Sequence, residues 1–152
     1  MTGLVPESAG FDRNCPGPEP LKVAAVVSWY GVFDYTTLVD DPKRDYAISW
    51  IGGQPGYKDV AKRVSPMTCM RAGLPPVIAI HGDADPIVPY EQEVREIDAL
   101  KKAGGVAELV TIPGGGHGNF PRDQVLRAWT AIDAFLTTNV INKKPVTTSA
   151  AR

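Results

Sequence analysis

The sequence predicts an α/β fold: about three parallel strands with flanking helices, forming half of a doubly wound sheet. Three observations predict it. Apolar runs near residues 23–30, 77–82 and 106–112 are continuous rather than alternating, as in strands covered on both faces. Two segments, one between and one after the last two runs, carry apolar residues at helical spacing. The resulting order (strand, long excursion, strand, helix, strand, helix) suits right-handed crossovers, which lay successive strands parallel.

Residues 1–20 hold Pro6, Pro16, Pro18 and Pro20 with Gly10 and Gly17, which forbids a long helix or strand there. The first strand then reads Val23-Ala24-Ala25-Val26-Val27-Ser28-Trp29-Tyr30 before Gly31. From Gly31 to Pro76 the pattern is irregular. One or two short helices are expected among turns at Gly52-Gly53 and Pro55-Gly56, and so long a connection inside a compact domain usually shapes a site. The second strand, Val77-Ile78-Ala79-Ile80, ends at His81-Gly82.

A helix is expected over 90–103. Tyr90, Val94, Ile97 and Leu100 form its inward stripe, Glu91–Arg95 and Asp98–Lys102 pairs lie opposite, and Gly104 stops it. The third strand, 106–112, is interrupted by Glu108 and Thr111 and ends at Pro113. A last helix over about 121–138 shows Val125, Trp129, Ile132 and Leu136 as its stripe, with Pro121 and Asp123 suited to the first turn. Residues 139–152 form a polar, non-periodic tail expected to fray. One partial domain over 21–138 results, between an irregular segment at 1–20 and the tail.

Composition narrows the partners. The 152 residues are 43% hydrophobic and 22% charged, with 16 basic against 17 acidic side chains, a net charge of -1. No basic excess is present to neutralise a phosphate backbone, so nucleic acid is not expected as a partner. No apolar stretch approaches the ~20 residues of a membrane helix, and no membrane contact is expected. Cys15 and Cys69 lack metal-site spacing and read as unpaired thiols, although one bridge between them is conceivable.

In a parallel sheet, ligands bind outside the carboxyl ends of the strands. Two segments land there: His81-Gly82-Asp83-Ala84-Asp85-Pro86-Ile87-Val88-Pro89 after the second strand, and Gly114-Gly115-Gly116-His117-Gly118-Asn119-Phe120 after the third. One helix and one return strand separate them, so Asp85 and His117 should face each other. A carboxylate can fix an imidazole's tautomer through one ring nitrogen while the other takes a proton from a nucleophile. Asp83 competes with Asp85 as the acid. His81 reads as a packing residue at the strand end.

The segment 74–89, with its His-Gly-x-x-Asp-x-x-Val-Pro pattern, resembles the acid-bearing region of α/β-hydrolases of the bacterial esterase/lipase or prolyl-oligopeptidase-like branches. That resemblance puts the catalytic acid on Asp85, and Gly116-His117-Gly118 resembles the loop of the catalytic histidine. Ala25 to Gly31 resembles the preceding strand, and Trp50-Ile51-Gly52-Gly53 with Ser65-Pro66 resembles the excursion that caps such sites. The likeness covers about residues 20–138 and implies the C-terminal half of an α/β-hydrolase sheet.

The resemblance also implies a nucleophile in Gly-x-Ser-x-Gly. Ser8, Ser28, Ser49, Ser65 and Ser149 all lack glycine two residues away on both sides, as do both cysteines. Ser8, in Pro6-Glu7-Ser8-Ala9-Gly10, comes nearest, but no buried strand precedes it. Residues 1–4 are instead expected to end the helix after the elbow. The chain is thus expected to carry acid and base without nucleophile or oxyanion hole, and to be inactive alone.

A small-molecule ester is the substrate implied for the intact enzyme, with a peptide as the alternative and no metal or organic cofactor. Trp29, Tyr30, Phe33, Trp50 and Tyr57 are the candidate lining of an apolar acyl or aromatic pocket. An open sheet edge would seek a missing N-terminal half or a second copy. The competing reading is a non-catalytic interaction module, and phosphate binding by the glycine loop is a weaker one. No signal-peptide pattern is present, which leaves the compartment open.

Overall fold

The computed structural model describes Leu4 and residues 23–41 and 45–142. Three strands, β1 (Val26–Trp29), β2 (Val77–Gly82) and β3 (Ala107–Ile112), form one parallel sheet in the order β1-β2-β3. Val26 lies opposite Val77, and Val77 opposite Ala107, so all three strands end at one edge. Every residue of β2 is buried, as its unbroken apolar run requires of a central strand.

The two faces of the sheet are covered differently. Strand alternation sends Val77 and Ala79 to one side, where they pack with Ala107, Leu4, Phe33, Leu74 and the α4 helix (Tyr90–Lys102) through Ile97 and Leu100. Ile78 and Ile80 go to the other, against Ile112 and the α5 helix (Arg122–Leu136) through Ala128, Ile132 and Phe135. A short π-helical stretch, Thr137–Ile141, extends α5 where fraying was expected.

Three of the expected details change. The excursion holds three short helices, not one or two: α1 (Tyr35–Leu38), α2 (Asp45–Ile51) and α3 (Tyr57–Val64), followed by a 3₁₀ turn at Pro66–Cys69. They enclose a small core of their own from Tyr35, Leu38, Val39, Ala47, Ala61 and Val64. On α5 the inward stripe is Ala128, Ile132 and Phe135; Trp129 is 55% exposed and rests on Trp29 at 5.7 Å between ring centroids. On α4, Val94 is exposed, whereas Gln92, Glu93 and Glu96 are buried beside Ile97 and Leu100. Arg95 reaches Asp34 at 3.3 Å.

Those buried polar groups tie the excursion to the sheet. Gln92 Oε1 accepts from the backbone N–H of Phe33 and of Asp34, both at 3.2 Å, while its Nε2 donates to the Asp34 carbonyl at 3.0 Å. Ser65 Oγ donates to the Ala61 carbonyl at 2.6 Å and accepts from Tyr35 N–H at 2.8 Å. Both ends of the excursion are thereby held over the carboxyl edge of the sheet.

Ser8, Cys15 and, Leu4 apart, the expected segment at 1–20 lie outside the described residues, as does most of the tail. Cys69 carries a free thiol. Among the described residues, no helix is long and apolar enough to cross a membrane.

Candidate active site

Two loops meet at the carboxyl edge, and backbone contacts stitch them together. Asp83 N–H donates to the Ile112 carbonyl at 3.2 Å, and Ala84 N–H to the Gly115 carbonyl at 3.0 Å. In return, Gly114 N–H donates to Asp83 Oδ1 at 2.6 Å. Oδ1 of Asp83 is thus engaged by the backbone of the histidine loop.

Asp85 points elsewhere. Its Oδ1 accepts from the N–H groups of Ile87 (2.7 Å) and Val88 (3.0 Å), a local turn that aims the carboxylate inward. Its Oδ2 lies 2.8 Å from His117 Nδ1, with the carboxylate fully buried and the imidazole 28% exposed. Burial alone would raise the pKa of Asp85. The bond to His117 and the two backbone donors outweigh it and hold the carboxyl below its usual range.

His117 rides on a loop in which Gly114, Gly118 and Asn119 all have left-handed backbone. Tyr30, at the end of β1, is also left-handed (φ 43°), which turns its ring onto the imidazole at 4.6 Å and onto Phe120 at 5.8 Å. With Nδ1 occupied by Asp85, Nε2 is the nitrogen left to face a substrate. Among the described residues no serine hydrogen-bonds to His117.

The imidazole lines an open cleft of ≈ 330 Å³ with Tyr30, Val32, Tyr35, Tyr46, Trp50, Ile87 and Val88. Tyr35 and Trp50 stack at 5.1 Å and 10°, and Tyr46 Oη donates to the Ile87 carbonyl at 2.8 Å. Of the expected lining, Tyr30 and Trp50 are present. Trp29 instead stacks on Phe120 on the far face, Phe33 is in the core, and Tyr57 packs within the excursion. Tyr35 and Tyr46 were missed, since their placement depends on how α1 and α2 fold over the edge.

His81 is packed at the strand end, as expected, and also makes polar contacts. Fully buried, its Nδ1 lies 3.0 Å from Glu93 Oε2, and its Nε2 lies 3.1 Å from the Val88 carbonyl and 3.2 Å from Asp85 Oδ2. Among the described residues, no group of three or more His, Cys, Asp and Glu side chains is placed to hold a metal.

Comparison with known proteins finds the same architecture. The BD-FAE family model matches residues 1–100 and the TAP-like protein model residues 56–148, each more than half of the chain. Thermogutta terrifontis esterase 2, phosphoramylated by tabun, is 27% identical, with a TM-score of 0.65 over 90% of this chain and 48% of that one. A truncated form of a carbohydrate esterase from gut microbiota is 29% identical, with a TM-score of 0.66 over 79% of this chain and 44% of that one. Esterase LipC of Mycobacterium tuberculosis is 26% identical over 127 residues, 78% of this chain and 31% of its own length. The chain spans about half the length of these solved esterases and about a third of this curated relative.

Proposed function

Since the chain belongs to the α/β-hydrolase superfamily, we propose that it supplies the acid, Asp85, and the general base, His117, of a serine hydrolase acting on carboxylic esters. The observation that carries this reading is the 2.8 Å contact between a buried carboxylate and a cleft-lining imidazole. Asp85 fixes the Nδ1–H tautomer, and Nε2 takes the proton of a serine as it attacks the ester carbonyl. His117 passes that proton to the alcohol as the ester C–O bond breaks, which leaves the acyl-enzyme. It then takes a proton from the attacking water and returns it to the serine as the acid departs.

The aromatic cleft beside His117 suits an apolar or aromatic part of the ester, held by Tyr35, Trp50 and the Tyr30 ring. An ester rather than a peptide is favoured by the esterases among the relatives. The serine and the oxyanion donors are proposed to come from a strand–elbow–helix unit bearing Gly-x-Ser-x-Gly and paired beside β1.

Hydrolysis of a p-nitrophenyl ester tests the assignment. The chain alone is expected to turn over no faster than its Asp85→Ala variant. Joined to such a unit it gains activity, and Asp85→Asn then lowers turnover by about 10⁴-fold. A Ser8-dependent burst from the chain alone, or joined activity indifferent to Asp85 and His117, would contradict these roles. A second reading, a non-catalytic interaction module, rests on the exposed Leu126 and Trp129 of α5; wholly inactive joined chains that still associate would favour it.

A further inference from the structure

We propose that His81 is a positioning residue for the acid, a second imidazole that holds Asp85 from behind while Glu93 holds His81. The proposal rests on Asp85 and His117 forming the acid–base pair. The loop carrying Asp85 is wound around the His81 ring. Val88 gives its N–H to Asp85 Oδ1 at 3.0 Å and its carbonyl faces His81 Nε2 at 3.1 Å. The same Nε2 stands 3.2 Å from Asp85 Oδ2, the oxygen that meets His117.

The proton positions follow from the partners. Val88 O can only accept, and Asp85, ionised, can only accept, so Nε2 must carry a proton. Nδ1 faces a carboxyl oxygen of Glu93 at 3.0 Å, and that contact also needs one proton between its two atoms. Burial disfavours charge on His81, but Glu93 outweighs it and the ring holds its proton above the usual imidazole range. Burial likewise raises Glu93, only partly offset by His81 and by Ser28 approaching from β1. The Tyr90 ring closes another side of the His81 ring, edge-on at 5.9 Å. His81 is set into β2 and Glu93 into α4, so the chain of contacts Glu93–His81–Asp85–His117 fixes where Oδ2 sits from the sheet side.

The chain has only two histidines, which makes imidazole NMR of the full-length protein decisive. The probe is the low-field Nδ1–H resonance of His117, the proton shared with Asp85. A glutamine amide reaches the Nε2 position of the histidine it replaces, whereas an asparagine amide reaches only Nδ1. His81→Gln is therefore expected to keep the resonance and His81→Asn to lose it, the two having matched melting curves.

Equal behaviour of the two folded variants would overturn the proposal, because a merely structural His81 predicts no rescue by glutamine. Should either variant fail to fold, the wild type and Glu93→Gln decide. His81 is expected to keep Nε2 protonated in both, with the His117 resonance present. An Nδ1–H tautomer of His81 in either protein would overturn it. Asp85→Asn must abolish the His117 signal; if the wild type lacks that signal altogether, the acid–base reading itself is what fails.

Discussion

Gly82 shows how much one missing side chain can decide. A Cβ there would lie 2.2 Å from the Gly115 carbonyl oxygen and 2.5 Å from that of Gly116. Those are backbone atoms of the loop that carries His117, and they cannot rotate away. Gly82→Ala should destabilise the fold by about 3 kcal/mol or more, since overpacking against backbone cannot relax. Urea unfolding checks the loss; an unchanged midpoint would mean that the two loops do not meet as described. His-Gly is visible in the sequence, but the reason for the glycine is not, because the clashing partner belongs to the other loop. The rivalry of Asp83 and Asp85 has the same origin. Both sit in one turn, and only its path shows that Asp83 serves Gly114 while Asp85 serves His117.

The α4 helix was legible in length and position, but its buried face was not. Apolar spacing selected Val94, yet the helix turns Gln92, Glu93 and Glu96 inward. Gln92 is tolerated there because the excursion backbone satisfies it, and Glu93 because its Oε2 meets His81, although its Oε1 has no hydrogen-bond partner among the described residues. Glu96 is different: neither oxygen has a hydrogen-bond partner among the described residues. Burial, helped by the charge of Glu93, pushes its pKa up to about 9. The folded chain therefore keeps a proton that the unfolded chain releases near pH ~4.3. Its contribution is complete below that pH and is lost progressively as pH rises toward about 9. Glu96→Gln, which cannot ionise, should melt close to the wild type near pH ~4 and clearly above it near pH ~8.5, as circular dichroism would show. Parallel melting curves at both pH values would count against a neutral, buried Glu96.

At the scale of the molecule, β1 closes the sheet on one side with its outer edge unpaired among the described residues. Val27 is 37% exposed, and Leu126 and Trp129 are exposed on α5, Trp129 beside Trp29. A bare strand edge next to apolar surface recruits another strand. The chain by itself is expected to self-associate, and Val27→Lys, a charge on that edge strand, to shift it toward monomer. Light scattering reads both, and a monodisperse wild-type monomer would refute the expectation.

The parallel α/β order, both long helices and the two loops bearing Asp85 and His117 could be read from the sequence. Unbroken apolar runs belong to strands covered on both faces, and strand ends of a parallel sheet converge on one edge whatever packs around them. Tertiary structure alone decided that Asp83 is bound to backbone, that His81 and Glu93 stand behind Asp85, and that Tyr35 and Tyr46 share the cleft. Those choices depend on which distant backbone and polar groups come within 3 Å of one another, a matter of side-chain direction that hydropathy and spacing do not encode.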